Sequence, residues 1–375
     1  MNPQNGIFSD ELSQRIDIPA LEFGPVRCAI GRIYCQLKPS DTVQAEPAGE
    51  CHISPRIKEP LYSFPAGEKI VITTRRNVAR PDGVDGVLYC NDSGELTWQC
   101  HIEIEKLEAD AVTRGWTNVI QERAAGWERS LFFRVERTNN DWSVDPGHEG
   151  LRPPQAGALH AIGAHWSLYH HPATVVMPTG TGKTETMLAT LAGFIRDGPL
   201  LVTVPSAILR DQTADKFRTF GLLRKLGVLV PKAPNPIVGI VTRRPRTLED
   251  LDIFTRCNVI VGTMSALSQG DAVQFAQEIA NLVDTLIVDE AHHIGAKKWS
   301  QFRKAFAERR ILQFTATPFR RDGKLVDGTV VYNYPLKKAQ QDGYFKPIEF
   351  VPVHESGASA DQSIAERAVE RLKND

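Results

Sequence analysis

The chain has 375 residues, of which 42% are hydrophobic and 24% charged, and 44 Lys and Arg against 45 Asp and Glu leave a formal charge of −1. That composition is globular and excludes both a disordered polyelectrolyte and a collagen-like or coiled-coil rod. The near-zero charge excludes a global pull towards polyanions, so any nucleic-acid binding has to rest on local arrangement. Length alone suggests two or three domains of about 150 residues each. No run approaches the roughly 18 apolar residues of a membrane span, and no apolar stretch of signal-peptide type stands in Met1 to Arg27. The expectation is a cytoplasmic protein with no membrane partner.

Residues 1–148 carry frequent Pro and Gly and short apolar runs at 69–73, 86–89 and 131–135. Alternation of Leu96, Trp98, Cys100, Ile102 and Ile104 predicts a half-buried strand over 95–105. Val112, Trp116 and Ile120 predict one helix over 108–123. This part reads as a smaller β-rich or α+β accessory domain, with no motif that assigns chemistry. Trp98 and Trp142 could stack on bases, but such residues more often fill a core. The spacings of Cys28, Cys35, Cys51, Cys90, Cys100 and Cys257 match no short zinc-binding pattern, so reduced thiols are expected.

From Leu151 onward the rhythm is βα. Helices are predicted at 155–169, 185–196, 207–219, 272–282 and 299–309. Strands are predicted at 173–176, 200–204, 237–242, 259–261, 285–288 and 311–314. Such alternation implies an α/β domain over 149–350, built on a doubly wound parallel sheet.

Two motifs on this frame carry chemistry. Met177-Pro178-Thr179-Gly180-Thr181-Gly182-Lys183-Thr184 lies between a predicted strand and a predicted helix. Strand, glycine turn and helix together make a phosphate cradle of backbone N–H groups at a helix N-terminus. Pro178, Thr179, Gly180, Thr181 and Gly182 form its wall. Lys183 reaches the outer phosphates, and the Thr184 hydroxyl can ligate Mg²⁺. The strict pattern has Gly where Met177 stands. The second motif is the apolar run Thr285-Leu286-Ile287-Val288, which ends in Asp289 and Glu290. Asp289 is placed to orient Mg²⁺ and Glu290 to act as general base towards a water. About a hundred residues separate the motifs, three or four βα units at ordinary lengths, so both can meet at the carboxyl edge of one parallel sheet.

With these motifs in view, residues 151–350 resemble the first RecA-like lobe of superfamily 2 helicases of the DEAD/DEAH-box group. Leu151-Arg152-Pro153-Pro154-Gln155 is similar to the adenine-reading motif, which implies base recognition by Gln155. Val202-Thr203-Val204-Pro205 with the run that follows, and Val259-Ile260-Val261-Gly262-Thr263, resemble the motifs that grip a nucleic-acid backbone. Gln313-Phe314-Thr315-Ala316-Thr317-Pro318 resembles the motif that couples hydrolysis to lobe movement, which implies coupling roles for His292, Thr315 and Thr317. The run from Thr317 through Arg320, Arg321 and Gly323, and later Tyr332-Asn333-Tyr334, are similar to helicase subunits of restriction and repair systems.

The resemblance implies ATP and Mg²⁺ as cofactors and nucleic acid, DNA rather than RNA, as partner. It also implies a second RecA-like lobe that supplies an arginine finger. Residues 351–375 leave no room for that lobe and read as a linker towards it, helical over 361–372. Weak turnover is therefore expected of this chain alone, since such an arginine is worth about 10³- to 10⁵-fold in phosphoryl transfer. An ATPase that remodels RNA or protein, and an adaptor that binds nucleotide with little hydrolysis, remain alternatives on sequence.

Overall fold

The computed structural model describes residues 14–135, 149–267, 272–293, 302–319, 323–345, 352 and 360–374. In chain order come strands β1 (Gln14–Ile18), β2 (Leu21–Cys28), β3 (Gly31–Lys38), β4 (Asp41–Ser54), β5 (Ile57–Ser63), β6 (Lys69–Thr73), β7 (Gly86–Cys90) and β8 (Leu96–His101). Helices α1 (Ile102–Arg114), α2 (Trp116–Glu128) and α3 (Pro153–Leu168) follow. Next are β9 (Ala173–Val176), α4 (Lys183–Phe194), β10 (Leu200–Val204), α5 (Ala207–Thr219), β11 (Val238–Val241) and β12 (Val259–Thr263). The last strands are β13 (Thr285–Val288), β14 (Arg310–Thr315) and β15 (Thr329–Asn333).

Strands β9 to β15 pair in parallel in the order β15-β9-β14-β13-β10-β12-β11. Continuous apolar runs suit them, because a parallel strand is buried on both faces. Every residue of β9, β10, β11, β12 and β13 is buried. The α/β class and the parallel sheet expected from the βα rhythm are present.

The amino-terminal part is divided differently from the expectation of an accessory domain ending at 148. Hairpin β2–β3 joins the large sheet, with β3 antiparallel to β11 and Tyr34 opposite Val238. Helices α1 and α2 also pack on the lobe. Phe23, Ile33, Leu107 and Ile120 share one core with Phe254, Ile260 and Leu286. Polar groups stitch the same junction: Asn258 Nδ2 donates to the Ile120 carbonyl (2.8 Å) and Trp127 Nε1 to that of Pro234 (2.7 Å). One compact unit accordingly runs from Met1 to Tyr334. Only β1 and β4 to β8 stand apart, as a six-stranded sheet in the order β1-β4-β5-β6-β7-β8 with its own small core. Apolar complementarity across a chain distance of 200 residues outweighs the change in sequence texture at 148.

Two local expectations also change. The strand expected over 95–105 stops at His101, whose Nδ1 accepts from the Glu103 N–H and caps α1. Ile102 and Ile104 thus lie on a helix. The single helix expected over 108–123 is two, broken at Gly115. The second unit, Pro335–Asp375, holds helices Leu336–Gln341 and Ala360–Asn374. No helix among the described residues is long and apolar enough to cross a membrane.

Gly31 tests the junction. A Cβ there would fall 2.0 Å from the Ile240 carbonyl oxygen across the β3–β11 pair. Gly31→Ala should lower stability by about 2 kcal/mol or more, as overpacking against an unyielding neighbour does. Urea unfolding of the whole chain measures this, and an unchanged midpoint would mean that the hairpin is not docked as described.

Candidate active site

Strand order builds the site. Because β14 lies between β9 and β13, the loop after β9 and the acids after β13 are two strand spacings apart, about 10 Å. The Met177 N–H donates to the Thr315 carbonyl (2.9 Å), extending the β9–β14 pairing into the loop. Met177 is fully buried and is not one of the positive-φ residues. The residue where the strict pattern has Gly is therefore still strand-like, and a side chain is tolerated there.

Gly180 and Gly182 carry the turn with φ of 86° and 93°. Gly182 has a second reason to lack a side chain, since a Cβ would fall 1.9 Å from Gln155 Nε2. Thr181 folds the loop back by donating from Oγ1 to the Pro178 carbonyl (2.7 Å). Gln155 is buried at the start of α3, where its Oε1 accepts from the Arg152 N–H (2.8 Å) and its Nε2 approaches the Gly182 carbonyl (3.4 Å). Arg152 Nη1 donates to the Gly180 carbonyl (3.2 Å).

The two motifs meet through Lys183, whose Nζ donates to Glu290 Oε1 at 2.8 Å. Glu290 has φ of 50°, a left-handed conformation that costs an L-residue roughly 1–2 kcal/mol. Its Oε2 is buried without a hydrogen-bond partner, 3.4 Å from His292 Nδ1. That nitrogen lies 3.0 Å from Thr315 Oγ1, and Thr315 Oγ1 donates to the Thr317 carbonyl at 2.7 Å. Asp289 keeps some exposed surface, but desolvation of its carboxyl, reinforced by the Glu290 charge, pushes its pKa up to about 6. Lys183, the Glu290 N–H and Lys216 pull the other way.

Lys183, Thr184, Gln155, Asp289 and Glu290 line one cavity of about 540 Å³, a volume within the range of small-molecule sites. His292, Thr315 and Thr317 form a chain behind Glu290. Arg320, Arg321 and Trp142 lie outside the described residues. Lys216 and Lys225 also line the cavity and were not singled out by sequence, and Arg152, which lines it too, stood there only as part of the motif around Gln155. Arg152 has a signal, its place three residues before Gln155 at the helix start, whereas the lysines have none.

Residues 148–320 match the family of type III restriction enzymes, res subunit. That match makes these residues similar to a superfamily 2 helicase lobe. The DNA 3′-5′ translocase XPB2 of Sulfurisphaera tokodaii is 28% identical over 193 residues, 50% of this chain and 36% of the relative. The chain thus spans little more than a third of that curated relative. The UvsW helicase of bacteriophage T4 is 15% identical with a TM-score of 0.31, over 60% of this chain and 65% of that one. The Mycobacterium smegmatis helicase Lhr is 19% identical with a TM-score of 0.37, over 59% of this chain and 30% of that one. At the level of the family, the lobe resembles helicase- and translocase-type ATPases.

The residues of the lobe fit the cofactors that such ATPases use. A desolvated Asp289 carboxyl and an acceptor-only Glu290 Oε2 without a donor suit a divalent cation and a water. A raised acid pKa has a sign. The folded state holds the Asp289 proton more tightly than the unfolded chain, so its contribution to stability falls as pH rises from about 4 to about 6, by about 3 kcal/mol at most. Asp289→Asn should therefore be more stable than the parent at pH 7 and equal to it near pH 4, in urea midpoints taken without Mg²⁺. An equal difference at both pH values would show that Asp289 is not desolvated.

Proposed function

We propose that the lobe binds Mg-ATP and hydrolyses it to drive movement on nucleic acid, DNA rather than RNA. The observation that supports this most is the continuous chain from Lys183 through Glu290 and His292 to Thr315, which joins a phosphate loop to a base and to the next strand. Bound ATP with Mg²⁺ supplies the scissile phosphoanhydride and the neutralising charge. Lys183 binds the outer phosphates, the loop from Pro178 to Gly182 offers its amides, and Gln155 stands at the base end. Thr184 and Asp289 hold the cation. Glu290 Oε2, which has no donor, accepts the proton of the attacking water. Its partner Oε1 is held by Lys183 and is released when Lys183 moves to a phosphate.

His292 and Thr315 transmit that change from β13 to β14, and Thr317 continues it. A second RecA-like lobe that completes the site is part of this reading. The preference for DNA is supported by a relative that is a DNA translocase and by the restriction-enzyme family. ATP turnover with and without duplex DNA is the test. Turnover that rises with DNA and falls about 10²- to 10⁴-fold in Glu290→Gln, with ATP binding retained, is expected. Lys183→Ala should lose binding itself. ATP bound but never turned over would leave a nucleotide-binding adaptor instead, and stimulation by single-stranded RNA alone would overturn the DNA assignment.

A further inference from the structure

The cavity that holds the phosphate loop has a second wall, formed by α5 and the turn after it. Lys216, in the last turn of α5, and Lys225, six residues beyond that helix, both line the cavity, with Leu209 and Leu222 beside them. Neither lysine has an ion pair or hydrogen bond among the described residues. The acids nearest in sequence are already taken: Asp211 by Arg210 (3.0 Å) and Asp215 by Arg218 (3.8 Å). Glu290 is held by Lys183 (2.8 Å). The wall thus presents two uncommitted ammonium groups across a cavity from a loop of backbone amides.

Their places along the cavity differ. Lys216 acts electrostatically on Asp289, which puts it at the end where the acids stand. Lys225 adjoins Leu226, whose carbonyl accepts from the Gly150 N–H (2.8 Å), close in sequence to Arg152 and Gln155. At that end Glu149 lines the cavity with a buried carboxylate oxygen that no donor reaches. An acceptor-only group suits the donors of a base or ribose and repels phosphate. The cavity is therefore polarised along its length, as an anionic ligand with a neutral, donor-bearing tail requires. Lysine is a flexible point charge and a common binder of phosphate.

We propose that Lys216 and Lys225 are phosphate-binding residues of the nucleotide site, Lys216 towards the outermost phosphate and Lys225 towards the inner ones, so that the phosphates lie between the loop and α5. This rests on reading the cavity as the ATP site. The same helix begins at Ser206, beside the strand end that resembles a backbone grip. A phosphate held by Lys216 thereby fastens to the nucleotide the helix that follows that strand end.

The test is calorimetric binding of Mg-ADP and of the magnesium β,γ-imido analogue of ATP to the full chain. Lys216→Ala should weaken the triphosphate analogue about 5-fold, the size of one screened ammonium–phosphate contact, and ADP by less than about 2-fold. Lys225→Ala should weaken both about equally, and Lys→Arg at either position should retain most of the affinity. The losses should shrink as salt rises, since the contacts are solvent-facing. Thermal unfolding should be unchanged, because neither side chain has a partner to lose. If the parent binds the analogue and both alanine variants match it, the two-wall site is overturned while the nucleotide reading stands. If the parent binds neither nucleotide, both fall. Equal weakening of ADP and analogue by Lys216→Ala would overturn its place at the outermost phosphate.

Discussion

The position of β14 between β9 and β13 sets the terms for everything at the glycine loop after β9. Parallel pairing delivers the carboxyl ends of all three strands to one edge. One intervening strand leaves a gap that a lysine side chain spans, and the end of that strand fills the floor with Thr315. Loop, acids, Thr315 and Thr317 therefore meet without any long irregular segment having to be held in place. The hydrogen bond from Met177 to Thr315 ties the loop to this floor, so that a shift of β14 is felt at the first residue of the cradle.

Charge where the two motifs meet is arranged so that little of it is spare. Lys183 is buried and satisfied by Glu290, and that single pair leaves Asp289 with its desolvation largely unrelieved. Glu290 holds a left-handed backbone, and its second carboxylate oxygen has no donor. Strain, an orphaned acceptor and an acid that resists ionisation all fall on two adjacent residues. Unfavourable features concentrated in this way are typical of positions that a ligand completes.

Much of this was legible in the sequence for physical reasons. Residues buried on both faces have to be apolar, so the parallel strands announced themselves as runs such as Leu200–Val204 and Thr285–Val288. The glycines of the loop and the paired acids had fixed offsets from those runs. What stayed hidden was long-range. Nothing local in Gly31–Lys38 says that it pairs with Val238–Val241, because an antiparallel edge partner needs only an apolar face and a close backbone. His101 as a helix cap was masked by the alternation that continues through Ile104. Lys216 and Lys225 carry no pattern at all, since their place in the cavity follows from how α5 and its following turn fold against the loop.

The docking of β2–β3 on β11 also imposes an order on folding. The hairpin is made some two hundred residues before its edge partner. Until β11 has emerged, β3 lacks the strand it pairs with on that edge, and the closure of so large a loop is entropically slow. The hairpin that completes the large sheet on that side is thus translated well before the strand it docks on. A nascent chain carries an unpaired strand edge over those roughly two hundred residues of elongation.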